Sequence, residues 1–382
     1  MIICIECTAK TKDDLDDLLQ IGGYRDYSEA VALAVSNQIL LHRGAKAGKG
    51  ATSPVIEERP EALRAAAEDA TPTAGVNGDR GSPGTAEIPA LFRIVDTKAR
   101  LGTAAALPND AFMKGQRISI DRWIFGQHNK LLPLKASIRA LANVSLDQRG
   151  GVPLVKAAGE IALASEILGT YLRRIDQDLG LVREESLSTA FPSAATDINK
   201  SRLRFSNQFV GALNKRGQLR GFPIDLKLVN YRNPKDPKLL LTDAGWAFAG
   251  LTNPILDRPT DTGEKLSEEE RAFLIQHIRD NVPVEDFAIR AVLAALQAGA
   301  RNPDDLDSAL GQHIPERSEE PFSAAFLSTQ RAGAISRMTD LGLVVRERQG
   351  LRVLYVVSGS GKKYLERATR HEVNDDDEQR SA

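Results

Sequence analysis

The chain has 382 residues, 42% of them hydrophobic, with two cysteines and a formal net charge of −1. That length is enough for two or three packed domains. Two cysteines rule out a disulfide framework and point to a reducing compartment, and no run reaches the roughly 18–20 apolar residues of a membrane span.

The near-zero total conceals strong segregation. Residues 1–43 hold four Lys/Arg and seven Asp/Glu, and residues 257–320 hold seven and fifteen. Residues 93–149 and 196–245 each hold ten Lys/Arg against four Asp/Glu, and residues 325–370 hold nine against three. Three basic zones would meet a polyanion although the whole chain is neutral.

The first ten residues, MIICIECTAK, lack the basic start and long apolar run of a secretory signal, so a cytoplasmic protein is expected. They contain Cys4-Ile5-Glu6-Cys7. A structural zinc wants four ligands, and the five histidines, at 42, 128, 277, 313 and 371, have no paired spacing. Ile2, Ile3 and Ile5 favour a strand, in which residues three apart point to opposite faces, so Cys4 and Cys7 diverge. No metal and no cofactor are expected.

Thr11 then caps a helix with Leu15, Leu18 and Leu19 as its stripe, Gly22-Gly23 stops it, and a second helix starts at DYSEAV. Strand, helix, glycine turn and helix over residues 1–43 resembles the ribbon-helix-helix family of DNA-binding dimers. The resemblance implies a strand paired with a second copy, with Ile3, Ile5 and Cys7 in the shared core. Cys4, Glu6 and Thr8 would then face DNA, and that set holds no Arg, Lys, Asn or Gln to read bases. The module is therefore expected mainly to dimerise the chain, with direct readout left open.

Residues 44–89, rich in Gly, Ala, Pro, Ser and Thr, read as a flexible linker. Pro133 is expected to precede a helix carrying Leu134, Ile138, Leu141 and Ala142, and residues 154–179 read as helical. Trp123 and Phe125 read as core. A further helix is expected from Lys200 to Lys215, burying Leu203, Phe209, Val210 and Leu213. Its other side offers Arg202, Asn207, Asn214 and Lys215, with Arg204 and Arg216 at its edges. Two β-like stretches follow, QLRGFPIDLKLV and PKLLLT, and then a closing helix, DAGWAFAGL.

The next segment repeats that grammar. Helices are expected at about 267–281, 284–299, 303–312 and 323–341, then a hairpin LGLVVRER-QG-LRVLYVVS and a closing GSGKKYLERA. LTDAGWAF, residues 241–248, lies over VSGSGKKY, residues 357–364. That match reads SGSGKKYL as a strand-to-helix corner rather than a phosphate loop, whose full pattern fails at Val356 and Lys363.

Helix, glycine turn, β-hairpin and closing helix resembles the winged helix-turn-helix family. The expected fold is mainly α with short β-hairpins (α+β), in tandem winged-helix domains at 90–258 and 259–370 and an acidic disordered tail at 371–382. By position, the resemblance implies reading helices at about Ser201–Arg216 and Ser328–Leu341. The implied DNA contacts are Arg202, Arg204, Asn207, Lys215, Arg216, Arg220 and Lys227 in the first copy, and Arg331, Arg337, Arg346, Arg348 and Arg352 in the second. Wing residues Arg232, Lys235 and Lys238 add to the first.

No Ser/His/Asp set or histidine cluster emerges, so no catalytic residue is expected. The function expected is a non-catalytic, dimeric protein binding duplex DNA, such as a transcription regulator. The alternative is a structural or adaptor subunit of a nucleic-acid-processing or defence complex, with the winged helices on partner proteins. A third reading takes Asp225-x-Lys227 on a strand as part of a metal-dependent nuclease, with Asp197 as a further carboxylate.

Overall fold

Helix α1, Leu131–Ser145, is buried on nearly every side, although it carries Lys135 and Arg139. Leu131, Leu134, Ile138 and Leu141 are buried, and so are Ala136, Ser137 and Ala140 on its other sides. The computed structural model describes residues 88–102, 118–146, 148, 150–193, 197–233, 235–257, 263–313, 323–350 and 352–366, all within one compact unit, Ser82–Ala382. The expected dimerisation strand with Ile3, Ile5 and Cys7, the linker up to residue 87 and the acidic tail lie outside the described residues.

Pro133 sits inside the first turn of α1 rather than before it. A proline costs little there, because the N–H it lacks has no partner within the helix. Strand β1, Val152–Pro153, leads into α2, Leu154–Asp178. Helix α3, Ile198–Phe209, follows, started by Asp197, whose side chain accepts from the N–H groups of Asn199 and Lys200. Then come β2, Ala212–Leu213; β3, Leu219–Arg220; the single turn α4, Phe222–Asp225; β4, Val229–Arg232; β5, Lys238–Leu241; and α5, Asp243–Gly250. Strands β1, β5 and β4 form one antiparallel sheet in that order, with Val152 opposite Leu239 and Val229 opposite Leu241.

The helix expected to run to Lys215 therefore ends at Phe209. The N–H groups of Val210 and Gly211 both return to the Ser206 carbonyl, at 2.9 and 2.8 Å, and close it. Phe205 and Phe209 form its buried side, while Leu203 is 61% exposed and Leu213 is also largely exposed. The stretch QLRGFPIDLKLV is no continuous strand either. Pro223 starts the turn α4, and Lys227 has a left-handed backbone, φ 55°.

The second segment follows expectation closely. It comprises α6, Glu268–Asn281; α7, Pro283–Gln297; α8, Pro303–Leu310; α9, Ala324–Asp340; the hairpin β6, Val344–Gln349, with β7, Arg352–Val357; and a closing helix, α10, over residues 359–366. Ser267 and Glu270 make a reciprocal cap at the start of α6, and Asn302 and Ser323 cap α8 and α9. Tyr355 N–H on β7 donates to the Arg301 carbonyl at 2.9 Å. The chain between α7 and α8 thus meets the last hairpin strand, as β1 meets β5.

The two segments share a corner at atomic detail. Thr242 Oγ1 accepts from Gly245 N–H at 3.1 Å, and Ser358 Oγ accepts from Gly361 N–H at 3.0 Å. A side-chain β-carbon on Gly245 would lie 2.1 Å from the Leu228 carbonyl oxygen, and one on Gly361 would lie 2.3 Å from that of Leu343. Only glycine lets these helices approach so closely. The strand's other end matches too. Asp225-Leu226-Lys227-Leu228-Val229 lies over Asp340-Leu341-Gly342-Leu343-Val344, and Gly342 has φ 72° where Lys227 has 55°. Helix α9 reaches this point unbroken over 17 residues. In the first segment the 12-residue α3 and the 4-residue α4 take its place, with the β2–β3 hairpin between them.

Buried ions tie the unit together. Lys135 and Arg139, one turn apart on α1, donate to the carbonyls that end α5: Lys135 to Phe248 and Leu251, Arg139 to Ala249 and Leu251. Glu270 lies 2.8 Å from Lys135, and Asp257 lies 2.6 Å from Arg139. Burial pulls the Lys135 ammonium down to about 8, against the attraction of Glu270. Between the segments, Gly333 of α9 rests on the backbone of Gly126, where a β-carbon would meet the Gly126 carbonyl oxygen at 2.3 Å. No helix among the described residues is long and apolar enough to cross a membrane.

Candidate nucleic-acid interface

The basic zones divide once side chains are placed. In the second segment Arg331, Arg337, Arg346 and Arg348 already have acidic partners. Arg337 is 1% exposed; its Nε and Nη2 donate to Glu285 at 2.6 and 2.8 Å, and its Nη1 donates to the His128 carbonyl at 2.8 Å. Arg331 is buried against Asp307, 2.6 Å away, and reaches Ser328. Neither side chain faces outward, which corrects the expectation that α9 presents both to DNA. A guanidinium this deeply buried persists only with a matched anion.

The hairpin β6–β7 gathers Arg346 and Arg348 as expected, but an anion already sits between them. Glu184, from the chain after α2, lies 3.5 Å from Arg346 and 3.0 Å from Arg348. Its own backbone N–H, Arg348 and Arg346 hold the Glu184 carboxyl below its ordinary range. Arg352 is exposed, as are Lys362 and Lys363 on α10.

From α3 to β5 most cations of the first segment are exposed. Arg202 pairs with Glu166, with Nε to oxygen at 2.6 Å. Arg204 and Asn207 lie on the outer side of α3, both exposed. The others lie on hairpins rather than on a helix. Lys215 and Arg216 occupy the β2–β3 turn and Arg220 lies on β3, all exposed. The Asn214 side chain shapes that turn by accepting from the N–H groups of Arg216 and Gln218, at 2.9 and 3.0 Å. Arg232 and Lys235 are exposed at the β4–β5 turn, and Lys238 is half-buried. Lys227, half-buried, sits at the corner between α4 and β4.

Asp225 is not on a strand. It ends α4 and holds the His128 Nδ1 at 2.8 Å, while Asp197 caps α3. Trp123 is core, but Phe125 is 41% exposed. Residues 93–149 are basic in sequence, yet two of their cations are the buried Lys135 and Arg139. A different surface runs along α2 and α3. Val155, 86% exposed, Leu163 and Leu203 line a shallow apolar groove with Ala158 and Ala162 between them.

The repeat Asp-Leu-Lys/Gly-Leu-Val is readable in the sequence, and it places the end of the helical region at Asp225 rather than Lys215. No family model, no curated protein and no solved structure matches this chain.

Proposed function

We propose that the chain binds duplex DNA without catalysis, as a homodimer joined through residues 1–43, using two winged-helix bodies. The observation that carries the reading is the shared order of the two segments. Each runs helix, short extended stretch, helices, hairpin and closing helix, and in each the extended stretch meets the distal hairpin strand. Winged helices use that order, with the hairpin as the wing.

The interface follows the outward cations. Lys215, Arg216 and Arg220 on β2–β3 and Arg232, Lys235 and Lys238 on β4–β5 supply phosphate contacts, with Arg204 and Asn207 on α3 beside them. Arg352 contributes from the second body. Phosphate contacts of this kind release counterions, so affinity falls steeply with salt. Titrating the intact protein with duplex DNA at several salt concentrations tests the reading. A steep negative slope of log affinity against log salt is expected, and binding that is absent at low salt would refute it.

A specific observation favours a second reading, that of an adaptor subunit for a partner protein. Val155, Leu163 and Leu203 are exposed on the groove between α2 and α3, where a protein surface would be buried more favourably than a phosphate backbone. Copurification under native conditions separates the two. The nuclease reading has less support, because Asp225 and Lys227 flank a helical turn and the Asp225 carboxylate is engaged by His128.

A further inference from the structure

A cleft of about 780 Å³ opens between the β2–β3 hairpin, the segment around residues 122–128, turn α4 and the start of α7. That volume is within the usual range for a small-molecule site. Arg122, Arg220 and Lys227 contribute cations, Asn207 an amide, and Phe125 an aromatic face that is 41% exposed.

His128 stands in the cleft wall with its orientation determined. Its Nδ1 lies 2.8 Å from Asp225 Oδ2, its ring stacks on Phe222 with centroids 5.7 Å apart, and Phe125 meets it edge-on at 5.7 Å. An ionised carboxylate only accepts, so Nδ1 carries the proton. The other ring nitrogen, Nε2, makes no hydrogen bond among the described residues and is not fully enclosed. Trp123 lines the same cleft, and its indole N–H is buried without an acceptor among the described residues. Buried polar groups without partners are uncommon and costly.

We propose that this cleft binds a nucleoside monophosphate unit, with the phosphate on Arg122, Arg220 and Lys227, the base against Phe125, and His128 Nε2 hydrogen-bonded to the ligand. Guanidinium forks suit phosphate, an exposed aromatic ring suits a base, and the amide of Asn207 can both donate to and accept from a base edge. The site stands on its own geometry and does not depend on the duplex-DNA reading. The unit can come from a free nucleotide or from the phosphorylated end of a strand.

The test is calorimetric titration of the full-length protein with adenosine, guanosine, cytidine and uridine 5′-monophosphates, with inorganic phosphate, and with a 5′-phosphorylated trinucleotide. At least one monophosphate should bind saturably at one site per chain. Arg220→Ala and Phe125→Ala, both at exposed positions, should each weaken it by about tenfold or more. His128→Gln should weaken it too, with circular dichroism reporting whether that variant remains folded. Competition by the trinucleotide marks a strand end as the natural source, and its failure to compete marks a free nucleotide; either supports the site. The proposal is overturned if no monophosphate binds, if the folded Arg220 and Phe125 variants bind like wild type, or if inorganic phosphate binds as tightly as the nucleotides.

Discussion

Arg337 and Glu285 face each other through two parallel hydrogen bonds, 2.6 and 2.8 Å long, with both side chains almost wholly removed from water. The third guanidinium nitrogen takes the carbonyl of His128, so one side chain joins α9, α7 and the first segment. A cation buried this way serves architecture. Arg337→Leu alone should cost about 3–5 kcal/mol in urea unfolding, because it leaves the Glu285 carboxylate buried and unpaired. Arg337→Leu with Glu285→Leu should recover much of that loss. A single variant as stable as wild type would contradict the pairing.

The duplicated corner predicts matched responses in the two segments. Gly245→Ala and Gly361→Ala each push a β-carbon into a carbonyl oxygen, so each should cost about 1–3 kcal/mol. Ser358→Ala removes the oxygen that accepts from Gly361 N–H, for about 0.5–2 kcal/mol. Gly359, two positions earlier, has open space around its α-carbon, and Gly359→Ala should be neutral or slightly stabilising. Thermal melts of these variants would expose any asymmetry between the copies.

His277 makes stability depend on pH. Burial lowers its pKa below the ordinary value of 6.5, against the opposing hydrogen bond from Nε2–H to the Leu226 carbonyl at 2.8 Å. With the folded pKa below the unfolded one, the unfolded chain binds more protons in the interval between them. Stability therefore rises with pH through that interval and is lost as pH falls below 6.5. Asp176 acts in the same direction but at lower pH. Burial pushes its carboxyl up, yet hydrogen bonds from Ser186, Ser188 and the Leu187 N–H hold it below its ordinary value of 3.8. Urea midpoints at pH 7.5 and 5.5 should differ in wild type and differ less in His277→Gln; equal differences would remove His277 as the source.

What was legible in the sequence was local. Helices α6 to α9 lie close to their expected ranges, and the corner shows in the sequence through its small polar residue and the glycine three positions later. What was not legible depends on distant partners. Nothing near Arg331 or Arg337 signals burial, because Asp307 and Glu285 lie 24 and 52 residues away. Glu184 is likewise remote from the arginines it neutralises, 164 residues from Arg348. The two-residue strands β2 and β3 carry too little pattern to be seen as a hairpin, so β2 read as the end of a helix and β3 as part of a longer β-like stretch.

That hairpin yields the last prediction. A β-carbon on Gly221 would lie 2.9 Å from the Gly211 α-carbon, so the two ends of the insertion already touch. A trans peptide spans about 3.8 Å between α-carbons, so Gly211 can be joined directly to Gly221 with residues 212–220 removed. The shortened chain should fold, with a stability loss of about 1.5–3 kcal/mol from Leu219, the buried residue removed with it. It also lacks Lys215, Arg216 and Arg220. If those residues touch phosphates, affinity for every duplex should fall alike, and the salt slope should shrink by about 0.9 for each phosphate no longer neutralised. Replacing Arg346 and Arg348 by Ala should change the slope less, because Glu184 already occupies them. The comparison separates the two hairpins. A folded deletion variant with the wild-type salt slope, beside an Arg346/Arg348 variant with a reduced one, would move the interface to the second segment.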